Sequence, residues 1–479
     1  MKRGLVSAAA CAALALAATT CAEVTAPRIA SVASLHVVAG AGVEDTVDAL
    51  LYQALVVEAR DASGHPVPGV SIVFGADSAT HVRIGRLDDF PFRTFAVDTT
   101  DARGQAAVLV QLGPQAGVGH VVATDTTSDA QVMAAYAVRA GAAASVDARP
   151  ADSALYVGHA YALRAVVRDR RGNLRPDTVS FAVPAGVSAV SLSGTTVRGE
   201  QIGRGYVVAT SGALVDTAWV SVVPQGTIAA YGLGGVVVVN LDGSVYHLLY
   251  KQAPPEDQAE LQPQWSPSGD QIAFASWSEL WIVDTGGTAR RIHGGAPAVD
   301  HSFPLQYSPD GSWIYFSQAT DSTGIWRVHP DGSGIEKLPA VWPGAAGPSP
   351  SPSGDSVAYR LDAFIAILDL ATGVTTQLPI YGNEPRWSPA GNWIAFRDRA
   401  GQLNLMRPDG SGRRLIGGEG IATNADFGWS PDGQWLVYSA GHYNINGLVV
   451  NDLFLMNAST GEVLPLGYSD GLLEPSWRR

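Results

Sequence analysis

A five-residue pattern recurs through the second half of the chain: Trp265-Ser266-Pro267-Ser268-Gly269, Tyr307-Ser308-Pro309-Asp310-Gly311, Pro350-Ser351-Pro352-Ser353-Gly354, Trp387-Ser388-Pro389-Ala390-Gly391 and Trp429-Ser430-Pro431-Asp432-Gly433. Its prolines stand 42, 43, 37 and 42 residues apart. Residues 271–274, 313–316, 393–396 and 435–438 follow four of the copies as short β-rich runs. Asp331-Gly332 and Asp409-Gly410 then supply the positive φ that tight hairpins need. A period near 40 built from short strands and Gly/Pro turns predicts a β-propeller array.

The two ends of this region decide the expected count. Residues 228–231, 236–240 and 245–250 read as the last three strands of a blade that lacks its first, and Leu473-Glu474-Pro475-Ser476-Trp477 supplies the missing strand. Five motifs and one split blade make six. Closing the ring in this way removes the sheet edges an open array would expose.

The 479 residues are too many for one hydrophobic core. Eleven of the 12 tryptophans lie after residue 226, so the two halves are differently built. A net charge of -13 repels a phosphate backbone, which argues against nucleic acid as a partner. Lys2 and Arg3, an apolar run over residues 5–18 and then Cys21 read as an export signal occupying residues 1–21. The run is too short for a membrane span. Ala18-Thr19-Thr20-Cys21 resembles a lipoprotein cleavage box, which implies Cys21 as a lipidated N-terminus; secretory cleavage near Ala22 is the alternative. Either cleavage removes Cys11, leaving no internal disulfide and no thiolate metal site.

Residues 29–140 alternate β-rich runs with turn clusters, as an all-β sandwich does. Asp61-Ala62-Ser63-Gly64-His65-Pro66-Val67-Pro68-Gly69-Val70, followed by Thr100-Asp101-Ala102-Arg103-Gly104-Gln105, resembles the bacterial immunoglobulin-like domains of the invasin and intimin type. Residues 141–224 resemble the second common bacterial immunoglobulin-like group, through Val157-Gly158, Arg170-Arg171-Gly172-Asn173 and Tyr206 to Thr210, with Phe181 where a tryptophan is usual. The resemblance implies stalk domains. Residues 227–479, through the Trp-Ser-Pro-Asp-Gly repeats, resemble the six-bladed propeller of TolB and related periplasmic proteins, with Pro350 replacing the aromatic in one copy. This implies a cell-envelope protein that binds through one face of a ring.

Catalytic patterns are sparse. Gly467-Tyr468-Ser469-Asp470-Gly471 matches a nucleophile elbow in letters only, since an elbow needs a strand-to-helix turn and a downstream histidine. The ten histidines include no i, i+4 pair of the helical metal-site kind. His301 beside Asp300 is noted because some related propellers are lyases using histidine and a metal, although a solvated loop pair between blades is the favoured reading.

One constellation remains. Two residues before each motif aromatic the chain is apolar: Pro263, Leu305, Pro348, Pro385, Phe427 and Pro475. Strand alternation then sends positions one and three before the aromatic to the opposite side. These read Gln262/Gln264, Pro304/Gln306, Gly347/Ser349, Glu384/Arg386, Asp426/Gly428 and Glu474/Ser476, a polar set expected at a water-filled tunnel or its mouth. Glu384, Asp426 and Glu474 come from successive blades and are expected to crowd, either in a hydrated tunnel with Arg386 balancing one carboxylate or as a site for a cation such as calcium or for a basic or hydroxyl-rich ligand; no other cofactor is called for. The chain therefore reads as all-β: two immunoglobulin-like sandwiches carrying a six-bladed propeller that binds an envelope protein or glycan, lipid-anchored in the outer membrane or secreted, and not an enzyme. The alternative is a polysaccharide-active lyase or hydrolase working at the tunnel mouth.

Overall fold

The computed structural model describes residues 31–86, 91–252, 261–318, 324–339, 344–416, 427–443, 449–466 and 472–478. Among these every regular element is a β-strand. The export segment, Cys21 and the Gly467–Gly471 elbow-like run lie outside the described residues. The chain divides into two compact units, Met1–Ala144 with Arg168–Arg175, and Ser145–Val167 with Pro176–Arg479.

In the first unit a four-stranded sheet, in the order Ser34–Ala39, Leu50–Arg60, Gln105–Leu112, Val82–Gly85, faces a five-stranded sheet built from Glu44–Thr46, Gln131–Arg139, Gly117–Asp125, Ser71–Ala76 and Phe95–Thr99. Period-two burial in Gln105–Leu112 sends Ala106, Val108, Val110 and Leu112 into one core with Ile72, Phe74, Val121 and Tyr136. The two Asp-Ala-x-Gly segments are equivalent turns. Asp61 Oδ1 accepts from the Ser63 and His65 amides at 2.8 and 2.9 Å, and Asp101 Oδ1 accepts from Arg103 and Gln105 at 2.8 and 3.0 Å. Those amide bonds hold both carboxyls below their usual range.

Before residue 224 the second unit holds two small sheets that lie wholly within it. One runs in the order Asp152–Tyr156, Leu214–Val223, Gly203–Ser211, Ser180–Ala182, its first pair parallel; the other runs Ala160–Ala162, Thr196–Gly199, Val190–Ser193. Six four-stranded antiparallel sheets follow. Their first strands are Leu473–Trp477, Gln264–Trp265, Gln306–Tyr307, Ala345–Pro350, Asn383–Trp387 and Phe427–Trp429, which number the sheets one to six below. Sheet one joins the two ends of the region: Leu473–Trp477 pairs antiparallel with Thr227–Gly232, placing Trp477 opposite Ile228. Trp477 then buries with Ile228, Trp435 and Leu464, and with Tyr156 and Val223 of the preceding sheets. The Tyr156 hydroxyl donates to Gly226 O at 2.8 Å.

The recurring motif is a single turn repeated five times. In each copy the Ser amide donates to the carbonyl five residues on at 2.8 Å, and the Gly amide returns to the Ser carbonyl at 2.9 Å. Gly269, Gly311, Gly354, Gly391 and Gly433 all take φ near +70°, a conformation costly for a residue with a Cβ. The Ser hydroxyl accepts the amide five residues on, at the start of the next strand or just before it, as Trp313 N to Ser308 Oγ at 2.9 Å, and donates to an Asp or Asn side chain, as Ser308 Oγ to Asp310 Oδ1 at 2.5 Å. The Ser308 hydroxyl, followed by the Ser312 amide and hydroxyl, holds the Asp310 carboxyl down to about 2. Serine and glycine recur because one turn geometry demands both.

Candidate functional site

The residues one before each motif aromatic, namely Gln264, Gln306, Ser349, Arg386, Gly428 and Ser476, line one cavity of about 90 Å³ together with the motif aromatics and prolines. Each of the six sheets contributes from its first strand. A cavity of this size has room for several waters, at roughly 10–15 Å³ for each.

Hydrogen bonds around the cavity join neighbouring sheets. Ser476 Oγ of sheet one accepts from Trp265 N of sheet two at 3.2 Å and donates to Gln264 Oε1 at 3.3 Å. Ser349 Oγ of sheet four accepts from Trp387 N of sheet five at 3.0 Å. The Trp429 indole of sheet six donates to Arg386 O of sheet five at 3.0 Å. Trp265 Nε1, Trp387 Nε1 and Gln306 Nε2 are buried donors without an acceptor among the described residues. Buried groups of this kind take water or ligand oxygens as partners.

The residues three before the aromatic are placed differently from the alternation argument. Gln262, Glu384 and Glu474 are buried, at 6, 4 and 5% exposure, yet none of them lines the cavity. Gln262, Gly347, Glu384 and Glu474 adopt φ of 42, 63, 50 and 55°. In sheets one, four and five, two residues of the first strand lie opposite one of the second. Such a bulge turns the side chains on its two sides to different faces, so the period-two rule fails across it. The signal was present in the sequence. Each of these four left-handed residues precedes a proline, and a proline, having no N–H to give the ladder, sits on an edge strand or at a bulge.

The acidic residues have local partners. Glu384 Oε1 binds the Arg397 guanidinium and the Asn383 amide, the latter at 3.4 Å, so Arg397 and not Arg386 is its counter-ion. Arg386 lies against the Phe427 ring, 5.5 Å from its centroid. Glu474 Oε2 accepts from the Gln262 amide at 2.5 Å. Asp426 lies outside the described residues, and among those described no three His, Cys, Asp or Glu side chains are grouped to hold a metal ion. Asp300 Oδ1 accepts from the Ser302 amide at 3.0 Å, which makes it a turn residue beside His301.

No protein-family model matches the chain. It is 29% identical over 204 residues to an uncharacterized protein of Agrobacterium fabrum, Atu1656, covering 36% of this chain and 67% of that one. It is 27% identical over 196 residues to an uncharacterized peptidase of Bacillus subtilis, YuxL, covering 37% of this chain but only 29% of the peptidase. Among solved structures it resembles TolB from Acinetobacter baumannii, with a TM-score of 0.44 and 15% identity over 63% of this chain and 83% of that chain. It also resembles an Agrobacterium tumefaciens structure assigned to TolB, with a TM-score of 0.42 and 20% identity over 53% of this chain and 94% of that one.

Proposed function

We propose that this is an exported cell-envelope protein whose six four-stranded sheets are the blades of one closed propeller, and that the ring holds a protein or glycan of the envelope. Two immunoglobulin-like domains, residues 29–140 and 141–224, form its stalk, and Cys21 is its lipid attachment point at the outer membrane. The observation that carries the reading is the convergence of one residue from each of six first strands on a single cavity, with the C-terminal strand completing the sheet that opens the region. Antiparallel sheets that share a central cavity leave no long edge unpaired and gather their loops at two ends, which suits recognition of a partner. Donors without acceptors at the centre suit a partner or bound water that offers oxygens.

Crosslinking in the native envelope, with the crosslinked peptides mapped by mass spectrometry, tests this. Crosslinks to one recurrent partner are expected on residues 227–479. Crosslinks confined to residues 31–224 would assign binding to the stalk and overturn the proposal.

A further inference from the structure

Sheets four and five hold an arginine at equivalent places. Arg360 pairs with Ala346 and Arg397 with Asn383, in each case the residue just before the left-handed residue of the bulge. In sheet five that left-handed residue is Glu384, whose carboxylate takes the Arg397 guanidinium. In sheet four it is Gly347, which has no side chain to offer. Among the described residues Arg360 has no ion-pair partner, and its Nε is buried with no hydrogen bond. Arg360 as a whole is half-buried, and its guanidinium lies over the Phe303 ring, 4.6 Å from the centroid, a contact that leaves the Nε donor without an acceptor.

Arg360 opens onto a pocket of about 510 Å³ shared with Asp362, Tyr381, Asn383, Asp398 and Arg399. Asp398 is already committed: Oδ1 accepts the Ala400 and Gln402 amides, and Oδ2 takes the Asn404 amide and the Arg413 guanidinium. Arg399 is exposed and has no ion-pair partner among the described residues. Two guanidiniums thus face a single uncommitted carboxylate, Asp362. Tyr381, 51% exposed and tilted at 35° against Phe364 with ring centroids 4.2 Å apart, provides an apolar wall. The volume is that of a ligand pocket, and a guanidinium fork matches a carboxylate in two parallel hydrogen bonds.

We infer that this pocket receives a glutamate or aspartate side chain of the protein partner, which stands to Arg360 as Glu384 stands to Arg397. The inference rests on reading the ring as a protein-binding scaffold. A protein carboxylate is favoured because the neighbouring sheet already shows a glutamate side chain filling the equivalent place.

The test titrates the full chain calorimetrically with a blocked hexapeptide of alternating Gly and Glu, its Gln counterpart, and trigalacturonate. The Glu peptide should bind at least about tenfold more tightly than the Gln peptide, and Arg360→Ala should remove that preference, as expected for loss of a charged hydrogen-bonded contact. Gly347→Glu supplies the missing carboxylate from within. Position 347 has room for a side chain, since an added Cβ would lie 3.7 Å from Glu384 Cα and 3.8 Å from Phe303 Cδ1; its φ of 63° is strained for any residue with a Cβ, a strain that Glu384 and Glu474 already carry at φ of 50 and 55°. This variant should also lose the peptide while staying folded, with a cooperative melting transition at most a few degrees below wild type because the backbone there is left-handed. Equal affinity for the Glu and Gln peptides, or unchanged Glu-peptide binding in both variants, overturns the inference. Arg360-dependent binding of trigalacturonate without the Glu peptide reassigns the pocket to an acidic sugar and overturns it too. Any of these results with envelope crosslinks still on 227–479 leaves the scaffold reading standing; crosslinks confined to 31–224 remove that reading itself.

Discussion

Ring closure concentrates on one contact, that of Trp477 with Gly226. Trp477 is 7% exposed, and a Cβ built on Gly226 would lie 2.5, 2.8 and 2.9 Å from its Nε1, Cε2 and Cζ2. Truncating a buried tryptophan to alanine costs about 3–5 kcal/mol. At about 2–4 °C per kcal/mol for a domain of this size, Trp477→Ala should lower the melting temperature by about 6–20 °C. Gly226→Ala forces the new methyl group against the indole and should cost about 1–3 kcal/mol by overpacking. The two changes must not add. Once the indole is gone the methyl group meets no clash, so the double variant should be no less stable than Trp477→Ala alone. Urea denaturation of the four proteins closes the cycle, and a coupling of about 1–3 kcal/mol is expected. Additivity within about 0.5 kcal/mol would mean that the C-terminal strand does not lie where sheet one places it.

The Glu384 carboxylate is buried, at 5% exposure against 13% for Arg397, so Arg397→Ala should strand it and cost about 3–5 kcal/mol by urea denaturation, most of which replacing both residues with apolar ones should restore. A single-variant loss under about 1 kcal/mol would show that Glu384 does not depend on that arginine. Because the folded Asp310 carboxyl is depressed to about 2, below its unfolded value, its contribution to stability is complete above about pH 4 and is lost as the pH falls through about 2. Ser308→Ala should raise that midpoint in a carbon-detected NMR titration, and an unmoved midpoint would refute the role given to the serine hydroxyl. Cys21→Ser should move the protein out of the membrane fraction and abolish palmitate labelling; retention equal to wild type would dispose of the lipid anchor.

The sequence alone determined the all-β character and the repeated turn. Both rest on local chemistry: glycine at a positive φ, a serine able to accept the amide five residues on, and Asp-Ala-x-Gly segments whose carboxylate caps its own turn. It also singled out the six residues before the motif aromatics, because one position counted back from a defined turn crosses no irregularity. Two positions further back the alternation rule met a bulge, and the prolines that mark it at 263, 348, 385 and 475 were read only as apolar residues. Only the tertiary structure decided which charges meet. Arg397 reaches Glu384 from the neighbouring strand, 13 residues on, while Arg360, at the matching place in sheet four, pairs with Ala346 and has Gly347 where sheet five has Glu384. Ion pairing depends on distances across strands and between sheets, and no spacing along the chain encodes those until the bulge has set the direction of each side chain.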